Sequence, residues 1–190
     1  SDVGGLLVVD EIQTGCGRTG KMFAFEHTGI QPDILCLGKG IASGLPIGIT
    51  AGHEQVMNSL AVGEHTSTFG GNPITCAAGS ATIDVLLQES LTENSDKIGT
   101  YFKQGLEKLR SGHSIVREVR GLGLMLAVEN RFDVRQIILN ALQQGVLILD
   151  AGRNILRFLP PLCLQQSHVD RVLAVLGKVL EKEQLAKLPG

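Results

Sequence analysis

The stretch ILCLGKGIASGLPIG, residues 34–48, runs from four apolar residues straight into Lys39, a lysine held between Gly38 and Gly40. A short apolar run bounded by turn signals is the pattern of a strand buried on both faces of a parallel sheet. Where that strand ends, the two glycines leave room around the lysine. A second such run, GLLVVDEIQ (residues 5–13), delivers Asp10 at its own end, and PIGITAG (residues 46–52) is a third candidate strand. In open α/β sheets ligands collect beyond the carboxyl ends of the strands. Lys39 and Asp10 both fall at such ends.

That pairing of an amine and a carboxylate suggests an aldehyde cofactor. Pyridoxal 5'-phosphate acts as an electron sink, and its protein partners are a Schiff-base lysine and an acidic group for the pyridinium nitrogen. Lys39 suits the first role and Asp10 the second. A desolvated amine sheds its proton more readily, which makes it a nucleophile toward a carbonyl carbon. Asp10 taken alone reads equally as a helix cap, a metal ligand or the acidic motif of an ATPase. Glu11 should point to the opposite side of an extended chain and reads as structural.

Three motifs, DEIQTGCGRTG (10–20), DILCLGKG (33–40) and HTSTFGGNP (65–73), together resemble the class III, ornithine-type aminotransferases of the fold-type I pyridoxal phosphate enzymes. REVRGLGLMLAVE (117–129) and ILRFLPPL (155–162) are similar to that family's small C-terminal domain, and draw the resemblance toward its acetylornithine and acyl-lysine members. The resemblance implies an α/β fold: part of the large, mostly parallel sheet domain with its linking helix over residues 1–88, and a small α+β domain over 89–190. It also implies roles. Ile12 lies against one face of the cofactor ring, or is ordinary core. Gln13 bonds the cofactor's phenolic oxygen, or is an exposed turn residue. Thr68 donates to the cofactor phosphate across a homodimer interface and Ser67 meets substrate, unless both simply belong to a turn ahead of a helix. Arg157 pairs with a protein or substrate carboxylate, a structural salt bridge being the alternative.

The resemblance covers only what would be the second half of such an enzyme. The Gly-rich phosphate turn, ring-stacking aromatic residue and substrate arginine of the family's first half are not found in these 190 residues. The expectation is a fragment of a longer enzyme, inactive by itself.

Composition narrows the partners. With 17 basic and 19 acidic residues the formal charge is −2, which offers no single-sign field for nucleic acid or an anionic membrane. No run approaches the ~18 apolar residues of a membrane span. Small molecules are the expected partners, and the family resemblance implies an amino donor and a 2-oxo acid. Cys16, Cys36, Cys76 and Cys163 are scattered, with no C-x-x-C pair, which reads as reduced thiols of a cytoplasmic protein and predicts no metal site.

Along the chain, Asn72 and Pro73 read as N-cap and first residue of a helix reaching about residue 88. Ile98, Phe102, Leu106 and Leu109 keep helical spacing over 93–110, ended by Gly112. Residues 115–129 are β-like around a Gly-rich bend, and 133–144 form a helix stopped by Gly145. VLIL (146–149) and ILRFL (155–159) read as strands, and Ser167 with Asp170 as the cap of a last helix.

The function expected is transfer of an amino group between the terminal amine of an acylated ornithine or lysine-like substrate and 2-oxoglutarate. Ornithine and 4-aminobutyrate aminotransferases and an aminomutase share the motifs. An ATPase reading fails on G-x-x-x-x-G-K-[ST], because Gly40 follows Lys39 and no phosphate-cradling loop precedes it.

Overall fold

The computed structural model describes residues 4–188, which divide into two compact units, Ser1–Glu93 and Asn94–Gly190. In the first unit the apolar runs become three short strands, β1 (Val8–Asp10), β2 (Ile34–Leu37) and β3 (Ile49–Gly52), in the order β1-β2-β3. β1 and β2 are parallel, with Asp10 opposite Cys36, and β3 returns antiparallel to β2. The sequence predicts strands buried on both faces, and this is where the structure differs. β1 is an edge strand, and Leu6, Leu7 and Val8 of its run are exposed, because no element of the described residues covers them. Leu37, Ile41 and Ala42 are the buried end of the β2 run.

A one-turn helix, α1 (Glu54–Met57), and a longer one, α2 (Pro73–Gln88), complete this unit. Asn72 caps α2 as its sequence predicts: Oδ1 accepts the Thr75 amide at 3.0 Å, and Pro73 takes the first helical position, where no amide is needed.

The second unit is a four-stranded antiparallel sheet, in the order β4-β5-β7-β6, backed by helices. Its members are α3 (Leu91–Gly112, whose first turn contains the division between units), β4 (Val116–Leu122), β5 (Met125–Asn130), α4 (Arg135–Gln143), β6 (Leu149–Asp150), β7 (Ile155–Phe158) and α5 (Gln166–Lys187). Strict alternation puts Leu126 and Val128 of β5, and Leu156 and Phe158 of β7, into one core with Ile98, Phe102 and Leu106 of α3. Phe102 meets Phe158 edge-on, with ring centroids 5.2 Å apart.

VLIL is not a four-residue strand: the Val146 amide is spent on the Ala141 carbonyl at the end of α4, so only Leu149 and Asp150 reach β7. Ser167 and Asp170 do not cap α5, which begins at Gln166 with Gln165 as N-cap; the Gln165 amide donates to His168 Nδ1 at 3.2 Å. Asp170 instead accepts from Tyr101 Oη at 2.6 Å, which with burial and the carboxylate's charge raises the phenol's pKa.

No helix of the described residues is long and apolar enough to cross a membrane, and none of their His, Cys, Asp and Glu side chains cluster in a way that could hold a metal ion.

Candidate active site

Parallel pairing of β1 with β2 brings the two sequence-predicted residues to one sheet end. Asp10 is the last residue of β1, and Lys39 follows β2 after a single glycine. Lys39 opens a 3₁₀ turn, residues 39–42, anchored by buried Ile41 and Ala42. Its φ of 44° lies in the left-handed region, which non-glycine residues seldom adopt and which clusters at functional sites. Both Asp10 and Lys39 are exposed. Asp10 Oδ1 accepts the Ile12 amide at 2.9 Å, fixing the carboxylate to the chain that follows it.

Ile12 sits on the same edge. A Cβ on Gly38 would stand 3.3 Å from Ile12 Cγ2 and 3.5 Å from the Ile47 carbonyl, so glycine there lets the isoleucine reach the backbone beside the lysine. On the other flank of Lys39, a Cβ on Gly40 would lie 3.9 Å from Cys16 Cβ. Ile12 and Cys16 therefore bracket the lysine turn. Gln13 is exposed.

Glu11, which the sequence reads as structural and opposite in direction to Asp10, is just that. It is 2% exposed; Oε1 accepts the Phe25 amide at 2.9 Å and Oε2 accepts from the Thr14 hydroxyl. Strand alternation signals its inward direction; its partner fourteen residues away leaves no sequence signal. Cys16, buried beside it, has its thiol pKa pushed up, first by burial and then by the Glu11 charge.

Ser67 and Thr68 are exposed in the segment between α1 and α2, where Ser67 Oγ accepts the Gly70 amide at 3.0 Å. Arg157 belongs to the second unit. It stands in one row across the sheet with Ala127 and Arg120. Arg120 is neutralised by Glu118 and Glu129, each at 2.9 Å, and Arg117 reaches Glu129 at 3.1 Å. Arg157 makes no such pair among the described residues, and its Nε is buried without a hydrogen-bond partner. The structural salt bridge offered as an alternative for it is not present there.

The sequence profile of the aminotransferase class-III family matches residues 1–180. Among curated proteins the chain is 45% identical to the acetylornithine aminotransferase of Caldanaerobacter subterraneus subsp. tengcongensis, over 93% of this chain and 45% of that protein. It is 42% identical to the acetylornithine aminotransferase of Aquifex aeolicus, over 92% of this chain and 45% of that protein. The chain thus spans about half the length of the curated relatives it matches. Among solved structures, the acetylornithine aminotransferase of Elizabethkingia anophelis superposes with a TM-score of 0.89 at 34% identity, over 93% of this chain and 46% of that one. An ornithine aminotransferase from Toxoplasma gondii, described with partial occupancy of PLP at its active site, superposes with a TM-score of 0.90 at 35% identity, over 94% and 44%. Fold and sequence agree, and the chain belongs to the class-III aminotransferases, pyridoxal phosphate enzymes of fold type I.

Proposed function

We propose that this chain carries the lysine-bearing part of an acetylornithine-type aminotransferase, which moves an amino group from the terminal amine of an acylated ornithine or lysine-like donor to 2-oxoglutarate. The observation that carries the reading is the parallel register of β1 and β2, which sets the Asp10 carboxylate and the Lys39 amine at one sheet end with Ile12 wedged against Gly38. That donor set fits a flat, cationic-nitrogen aldehyde: an acid, an apolar contact and an amine, in a place open to a ligand.

Bound there, pyridoxal phosphate supplies the electron sink that stabilises negative charge on a substrate carbon. The chain's own residues do the rest. The Asp10 carboxylate would face the ring nitrogen and accept a hydrogen bond from it. Lys39 Nζ would hold the cofactor at its carbonyl carbon, water leaving as that bond forms, and the freed amine would serve as the base for the proton on the substrate carbon. Ile12 would pack on the ring face, Gln13 would donate to the phenolic oxygen, and the Thr68 hydroxyl would donate to the phosphate of a second copy in a homodimer. Ser67 and Arg157 bind substrate, a role for which the unpaired Nε of Arg157 is supporting evidence.

The test is made on the full-length protein. Borohydride reduction followed by intact mass should add one cofactor to wild type and none to Lys39→Ala. Turnover with acetylornithine should exceed that with ornithine. The reverse order would move the assignment to the ornithine aminotransferases, one of which, from Staphylococcus saprophyticus, is 41% identical to this chain.

A further inference from the structure

We infer that Glu11 is a positioning residue for the Lys39 turn: its buried carboxylate latches the 11–25 segment, so that Ile12 and Cys16 hold the backbone on both sides of the lysine. The inference rests on the reading of Lys39 as the cofactor-binding lysine.

Four hydrogen bonds converge on this one residue. Its amide donates to the Cys36 carbonyl at 2.9 Å, which carries the β1–β2 pairing one residue past Asp10. Its carbonyl accepts the Gly15 amide at 2.9 Å, closing a turn so tight that a Cβ on Gly15 would come within 2.8 Å of that oxygen. Its carboxylate takes the Thr14 hydroxyl with one oxygen and, with the other, the Phe25 amide at 2.9 Å. The segment so tied turns through positive φ at Cys16, Gly17 and Gly20 and has bonds of its own, from the Gly17 amide to the Met22 carbonyl at 3.2 Å and from the Gly20 amide to the Gly17 carbonyl at 3.1 Å; the Glu11 carboxylate fastens its far end, at Phe25, to the end of β1.

A carboxylate taken out of water is tolerated only where donors satisfy it, and removing it leaves those partly buried donors unpaired. The two residues that depend on this latch fill the space where side chains at the two glycines flanking Lys39 would stand. Loosening Glu11 therefore reaches the lysine through the backbone, without contact between Glu11 and the cofactor. Support of this kind, beneath the groups that touch a ligand, sets how well they are held.

The test compares wild type with Glu11→Ala, Glu11→Gln and Thr14→Ala in the full-length holoenzyme. Two quantities are followed: the rate of cofactor dissociation, and the pH midpoint of the Lys39-dependent visible absorbance. Glu11→Ala should release cofactor about tenfold faster, the loss expected for one charge-assisted hydrogen bond, and should displace the midpoint. Glu11→Gln retains an oxygen acceptor for Phe25 and should recover most of both. Thr14→Ala should move both in the same direction by less, and carries the test if Glu11→Ala does not fold. A folded Glu11→Ala, or failing that Thr14→Ala, with wild-type dissociation and midpoint overturns the inference and leaves Lys39 in place. Absence of any Lys39-dependent band in wild type overturns the inference together with the reading of the site.

Discussion

Cys16 shows how much one residue's surroundings decide. It is buried, takes a φ of 58°, and stands between the Glu11 carboxylate and the Gly40 backbone. Burial first, and the negative charge of Glu11 second, raise its thiol above the ordinary value of 9.0. The thiolate is the reactive form, so Cys16 should alkylate slowly at neutral pH while exposed Cys76 and Cys163 react, an order that peptide mapping after timed labelling would read. The same shift has a stability consequence. Below 9.0 the thiol is protonated in both folded and unfolded chains and contributes nothing to pH dependence. Above it the unfolded thiol ionises while the folded one resists, so stability falls as pH rises toward the folded value. Urea midpoints at about pH 8 and about pH 10 should differ more for wild type than for Cys16→Ala. At this scale the sequence was readable where a rule of place applies: Asp10 and Lys39 end runs that must be strands. It was unreadable where a side chain meets a distant backbone amide, as Glu11 meets Phe25, because nothing near Glu11 encodes that partner.

At the scale of elements, helices were the most legible part, since caps and period both lie within the segment itself. Asn72 is the clearest case. Its Oδ1 holds the Thr75 amide, and Asn72→Ala should lower stability by about 1 kcal/mol, readable as a shifted urea midpoint with unchanged slope. The start of α5 was misplaced because Ser167 and Asp170 resemble a cap, whereas Asp170 is engaged by Tyr101 from another helix. Strand lengths failed for a related reason. VLIL alternates correctly, with Val146 and Ile148 buried and Leu147 and Leu149 exposed, but pairing is decided by what lies alongside. Close packing between elements was equally hidden. Gly99 of α3 faces the backbone of Gly123 in the β4–β5 turn, and a methyl group there would run into the Gly123 carbonyl. Gly99 is one of the few positions where adding a single carbon to a helix should destabilise, by about 2–3 kcal/mol on thermal or urea melting, although alanine is the better helix former.

At the scale of the whole chain, its two units differ in how far they satisfy themselves. The contiguous buried core, from Ile98 to Leu180, belongs entirely to the second unit, where one face of the sheet and three helices enclose it. The first unit buries Leu37, Ile41, Ala42 and Leu86, but leaves Leu6 59%, Val8 55%, Phe69 80% and Ile74 73% exposed. The apolar character of those positions was plain in the sequence; whether something covers them was not, because hydropathy marks a surface as fit for burial without naming its partner. Residues 91–190 should accordingly fold alone and melt in one cooperative transition, as domains of about a hundred residues with a single core commonly do. Residues 1–93 should bind a hydrophobic dye and associate through the open β1 edge. Phe102→Ala supplies the internal control. It removes a ring that is 2% exposed and stacked edge-on against Phe158, a loss of about 3–5 kcal/mol, which is a large share of the 5–15 kcal/mol typical of a domain. If 91–190 is the self-sufficient unit, that substitution should lower its melting temperature in isolation by the same free energy as in the longer chain. A smaller effect in isolation would mean that the core is completed only when both units are present.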